Sequence, residues 1–179
     1  MTTEHTNEDK PVKTNWDATL AFWVLRAWLG VRAIITGIEK YSATVITQKP
    51  LIDSTTGMED PSGAMVDVAN KVYALTNYNA VPPSMASKFA SEPLLPKLLL
   101  TPFYTMLGPV LILLGITLLV GLGTRISLFL QGLLYVGLTV GLILIHEDGG
   151  IAWLGIHVAL IALALLLARH NRVCLLKNG

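Results

Sequence analysis

The sequence predicts an all-α integral membrane protein: a four-helix bundle with a partly helical extracytoplasmic cap between its first and second spans. Three observations predict it. Charged residues make up 14% of the 179, against about 25% in a soluble domain. Mean hydropathy is +0.58. Four separate stretches are each apolar for roughly the 20 residues that a bilayer-crossing helix requires. The net charge of +1 gives no reason to expect nucleic acid or a strongly acidic partner.

In chain order, residues 1–15 are polar and mixed in charge. They lack the basic start, short apolar core and small-residue cleavage site of a signal peptide, and read as a disordered cytoplasmic tail ahead of an uncleaved first helix. The transmembrane domain occupies residues 16–170. Its spans run from about Ala18 to Tyr41, Leu98 to Leu122, Ile126 to Ile145 and Ile151 to Ala168. Gly121–Thr124 and His146–Gly150 are short connections, so the last three helices are antiparallel neighbours. Residues 171–179 form a second tail. The single cysteine, Cys174, has neither a disulfide partner nor a CxxC companion and reads as a bland tail residue.

Orientation follows the lysines and arginines of the short segments. Lys10, Lys13, Arg125, Arg169, Arg172 and Lys177 put both termini and the second-to-third turn in the cytoplasm. The third-to-fourth turn has no cation and carries Glu147 and Asp148. Segment 42–97 then lies outside and is too long for a plain connection. Asp60-Pro61 reads as an N-cap with proline at the first helical position. Met65, Val68, Ala69, Val72 and Leu75 follow at helical spacing. A second short helix starting at Pro83 places Met85 and Phe89 on one face. Both read as amphipathic helices lying over the bundle.

Charge inside a span is costly and turns towards the bundle or a partner. Arg26 falls near mid-membrane, Arg32 in the outer half, and Glu39 and Lys40 at the outer rim. At about 100° per residue, Arg26, Gly30, Ala33, Gly37 and Lys40 share a face whose small residues admit a close neighbour. Arg32, Thr36 and Glu39 share another. Tyr135, Thr139 and His146 share a face of the third span, while His157 and Trp153 share one of the fourth. Pro109 frees the carbonyl of Thr105. Gly137 and Gly141 have the spacing of a helix-packing face. Arg32, Glu39, Tyr135, His146, Glu147, Asp148 and His157 thus form the candidate ligand-binding set beneath the cap. The alternative is structural: Arg32 neutralises Glu147 or Asp148 and fastens the helices together. Two histidines without further ligand spacing do not define a metal or haem site, and no metal is assigned. No phosphate loop, nucleophile elbow, zinc-protease helix or calcium loop is present.

The run Leu25-Arg26-Ala-Trp-Leu-Gly30-Val-Arg-Ala-Ile-Ile-Thr-Gly37-Ile-Glu-Lys40, with Leu114-Gly115, Gly123-Thr124-Arg125 and Glu147-Asp148-Gly149, resembles the DoxX/DoxD-like family of four-helix bacterial membrane proteins. The pattern covers nearly the whole chain apart from the polar tail. Arg26, Gly30, Gly37 and Lys40 match the family's first-helix motif. The resemblance implies the bacterial inner membrane. It also implies a redox setting: DoxD-type members belong to thiosulfate:quinone oxidoreductase, and other members associate with membrane redox enzymes. The cap is longer than the family minimum, which suits a docking partner.

The leading functional expectation is therefore a subunit of a quinone-linked redox complex, with a quinone or lipid-like pocket near the outer leaflet. Arg32, His157 and Tyr135 would donate to the head group, and Glu147 or Asp148 would exchange protons. No electron-carrying cofactor is intrinsic to the chain, so a catalytic partner subunit is expected. The alternatives are a non-catalytic accessory subunit of a larger membrane complex and, less favoured for want of internal repeats, a small transporter. Whether the chain is itself an enzyme stays open at this point.

Overall fold

The computed structural model describes residues 16–52, 56–60 and 62–171, with backbone alone at Lys97 and Leu99. The tail readings, Cys174 among them, lie outside the described residues. Helix α1 (Trp16–Glu39) leads into strands β1 (Ser42–Pro50) and β2 (Met65–Tyr73), the short helix α2 (Pro83–Ser91), and helices α3 (Lys97–Val120), α4 (Thr124–Leu144) and α5 (Asp148–Leu167). Four helices, α1, α3, α4 and α5, are long and apolar enough to cross a membrane. The chain is a multi-pass membrane protein. Side chains such as Val24, Val31, Ile35, Phe129 and Leu166 point outward, as they do where acyl chains rather than water surround the bundle.

The helices alternate in direction. The start of α1, the α3–α4 turn and the end of α5 share one end of the bundle, here the terminal end. The hairpin and α2 crown the other, the cap end. The closest pairings are α1 with α3 and α4 with α5. Glycines set the first. A Cβ on Gly115 would lie 2.7 Å from the carbonyl oxygen of Gly30, and one on Gly37 would lie 2.9 Å from that of Gly108. The two backbones therefore nearly touch, which only small residues allow. The small-residue face read from the sequence is the buried face of α1, which also carries Phe22, Arg26, Leu29 and Ala33.

Gly137 and Gly141 do something else. Nothing lies within 4 Å of a Cβ placed on Gly137, and Gly141 faces the Phe89 ring of α2 at 3.3 Å. They open space instead of closing a helix pair.

The cap departs from expectation in its first half. Met65 to Tyr73 is a strand, antiparallel to β1 in a register that pairs Ser42 with Tyr73 and Pro50 with Met65. Asp60 does not cap a helix: its carboxylate accepts the Ser62 N–H at 2.8 Å in the loop between the strands. That backbone bond, with a second one from the Ser62 side chain, holds the Asp60 carboxyl below its ordinary range. The reason is composition. Thr44, Val45, Ile46 and Thr47 of β1 and Val66, Val68 and Val72 of β2 populate the paired strands, and β-branched side chains prefer the extended backbone. The second half follows expectation, with Met85 and Phe89 on the inner face of α2.

Tyr78, between β2 and α2, ties the cap to the bundle. Its hydroxyl donates to the Tyr104 carbonyl and accepts from the Gly108 N–H at 3.1 Å. Those two groups would bond each other in an unbroken helix, so the phenol is inserted into the ladder of α3. A Cβ on Gly108 would meet the Tyr78 ring at 2.7 Å.

Candidate functional site

The two ends of the bundle use polar groups in opposite ways. At the terminal end, Arg26 is 3% exposed. Its Nε donates to the Leu118 carbonyl at 2.7 Å, Nη2 to Leu119 at 2.9 Å and Nη1 to the Asn171 side chain at 3.3 Å. Leu118 and Leu119 belong to the last turn of α3, whose carbonyls have no helical partners. Arg26 thus caps a helix C-terminus, where a cation is favoured. Gly121, left-handed at φ 84°, ends that helix, and a Cβ there would lie 2.5 Å from the guanidinium. Asn171 continues the network to Thr124 at 3.1 Å. Arg26 therefore lies level with the α3–α4 turn and not near mid-membrane.

At the cap end lies a cavity of about 620 Å³. Helix α2 roofs it with Met85 and Phe89. Leu107, Leu111 and Leu138 form apolar walls, and Arg32, Thr36, Lys40, Tyr104, Tyr135 and His157 bring polar atoms to it. Among the described residues, no aspartate or glutamate lines it.

Arg32 sits with its guanidinium 5.9 Å from the centre of the Trp153 ring, within range of a cation–π contact. Among the described residues no carboxylate or carbonyl pairs with it. His157 is 3% exposed. Its Nδ1 lies 2.8 Å from the Trp153 carbonyl. A carbonyl only accepts, so Nδ1 carries the hydrogen, and in the neutral ring Nε2 is a bare acceptor. That Nε2 is buried without a partner, as is the Tyr104 hydroxyl. Tyr135 packs edge-on to His157 at 5.9 Å and is held from below by Gln131, whose amide lies 3.4 Å from the phenol. Lys40 closes the α1 side. Burial pushes its ammonium below its ordinary range, and neighbouring Glu39 partly offsets this.

Of the seven predicted ligand-binding residues, Arg32, Tyr135 and His157 meet at the cavity and four do not. Glu39 turns to the hairpin, where it binds Lys71 and accepts the Tyr73 hydroxyl at 3.1 Å. This contact raises the Lys71 ammonium above its ordinary range. Glu147 pairs with Lys88 of α2 at 3.0 Å, not with Arg32. His146 and Asp148 are exposed at the α4–α5 turn, His146 at φ 54°. Of the motif residues, Arg26, Gly30 and Gly37 are structural, while Lys40 reaches the cavity.

Tyr104 was missed, although a tyrosine in a span needs a partner for its hydroxyl. Tyr78 and Gln131 were missed as well, since their partners are backbone groups of distant segments. Among the described residues no three His, Cys, Asp or Glu side chains cluster as metal ligands would. Comparison with family models, curated proteins and solved structures returns no match to this chain.

Proposed function

We propose that this chain is a membrane subunit that holds a quinone-type lipid in the cavity beneath α2, serving a redox complex whose electron carriers reside on another subunit. One observation carries the reading. The 620 Å³ cavity is of ligand size and apolar, yet among the described residues it presents the half-buried Arg32 and the buried Tyr104 hydroxyl and His157 Nε2 without hydrogen-bond partners. Buried polar atoms are normally satisfied, and a quinone head satisfies all three kinds. Arg32 donates to one ring oxygen. Nε2 accepts from the hydroxyl of the reduced form, and Tyr104 serves either state. The head group supplies two-electron chemistry when bound; the chain positions it, keeps water out beneath α2 and offers Nε2 as a proton acceptor. The DoxX/DoxD-like motifs support the same assignment. The lysine and arginine distribution supports a cap outside the bacterial inner membrane and termini in the cytoplasm.

Purified protein in nanodiscs should bind a short-chain quinone, quenching Trp153 fluorescence. Arg32→Ala should weaken binding of the quinone, and His157→Ala binding of its reduced quinol form, by about tenfold each, since losing one partner of a buried hydrogen bond costs about 1–3 kcal/mol. Absence of binding by the wild type, or binding by either variant as tight as the wild type's, refutes the reading.

The accessory-subunit reading has its own support. The hairpin exposes Val45, Ile46, Val66 and Val72, and a lone two-stranded ribbon is marginally stable in water. A partner subunit seated on it would account for both. In this reading, replacing residues 43–72 by a tight turn releases a co-purifying partner and leaves quinone binding intact. If no partner co-purifies with the intact chain, the accessory reading fails.

A further inference from the structure

A second apolar recess lies between α3 and α4, a groove of about 470 Å³ on the lipid-facing side. Val110, Leu113, Leu130 and Leu134 line it, and among the described residues no charged side chain does. It shares Phe103 and Gly137 with the cavity beneath α2. We propose that cavity and groove form one lipid site, with the head group beneath α2 and a single hydrocarbon tail passing Gly137 into the groove. The inference rests on the quinone reading and adds the prenyl tail as a binding determinant.

The helices explain why a groove exists. Helices α3 and α4 follow one another across Gly121, Leu122 and Gly123 and are pinned near that turn by the Ser127–Thr117 hydroxyl contact of 3.1 Å. Along their length they touch far less than α1 and α3 do. No glycine contact draws them together: a Cβ on Gly137 would meet nothing within 4 Å. The groove runs from Phe103 to Leu114, roughly 16 Å along α3 at 1.5 Å per residue. That shape fits one extended flexible chain better than a packing helix, whose diameter is about 10 Å. Continuity with the cavity assigns the chain to the ligand already held there.

The test compares a prenylated quinone with its tailless head group in nanodiscs, on wild type, Gly137→Leu and Leu113→Trp. The space around Gly137 lets the leucine fold normally while it fills the neck. The wild type should bind the prenylated form at least tenfold more tightly than the tailless one. Gly137→Leu should remove that difference, and Leu113→Trp, which fills the groove away from the cavity lining, should remove it while leaving the tailless affinity within twofold. A quinone carrying a diazirine at its tail end should label peptides containing Leu113 or Leu130. If the tailless head binds but the tail adds nothing, or if the label falls on lipid-facing residues of α1, the tail site is refuted and the head site stands. If Gly137→Leu changes the oligomeric state and not the tail preference, the groove belongs to a second copy and the inference is refuted. If neither quinone binds, both readings fall.

Discussion

Arg26 and Arg32 lie on one helix, less than two turns apart, in opposite circumstances. Arg26 is buried in a closed knot of carbonyls and amides that ties α1 to the end of α3 and to Asn171. Arg32 lies over an indole beside an open, acid-free cavity. A guanidinium whose donors are spent on backbone oxygens fixes structure. One left with donors to spare is available to a ligand, at a cost to the empty protein. The bundle is welded at its terminal end and hollow at its cap end.

Six substitutions test that contrast. The largest effect belongs to Arg26→Leu. It strands the Leu118 and Leu119 carbonyls and should lower unfolding stability in detergent by about 3 kcal/mol or more, while Arg32→Leu should cost under about 1 kcal/mol. Equal losses at the two positions would erase the contrast. Gly115→Leu comes next. Its side chain would collide with the Gly30 backbone, an overpacking that costs about 1–3 kcal/mol, and thermal denaturation should show it. Gly137→Leu, with open space around it, should be neutral in the same assay. Tyr78→Phe should cost about 1–2 kcal/mol and raise amide exchange at Gly108 without altering exchange near Gln131. Exchange unchanged at Gly108 would mean that the phenol does not hold that turn.

The smallest effect is expected of Lys40→Met, and its sign is opposite. Burial lowers the folded-state value of Lys40 below the ordinary 10.5, so its charge opposes folding at neutral pH. That penalty fades as pH rises through the lowered value towards 10.5. The empty protein should gain stability across that alkaline interval, and Lys40→Met should be slightly more stable at pH 7 with the pH slope gone. A loss of stability in the variant would show that Lys40 supports the cap end.

The four spans were legible because hydropathy is a property of single residues summed over a window, and the membrane leaves few alternatives. The α1 packing face was legible because Gly30, Ala33 and Gly37 repeat at helical spacing. The hairpin was not. Met65, Val68, Ala69, Val72 and Leu75 satisfy a helical period, yet β-branched neighbours and a pairing partner far upstream make the strand. The candidate site was half legible. Arg32, Tyr135 and His157 lie within spans, where depth alone brings polar groups together. Glu39 and Glu147 sit at helix ends, where cap lysines compete for them. Lys71 and Lys88 take both acids, and no local pattern announces where a folded loop will place a cation.

Tyr78 also changes what the hairpin is. Because its hydroxyl is stitched into the α3 backbone between Tyr104 and Gly108, the ribbon is not a pendant but a lever with its fulcrum in the membrane. A load on the strands would pass through Tyr78 to the turn of α3 that carries Tyr104, one of the walls of the cavity.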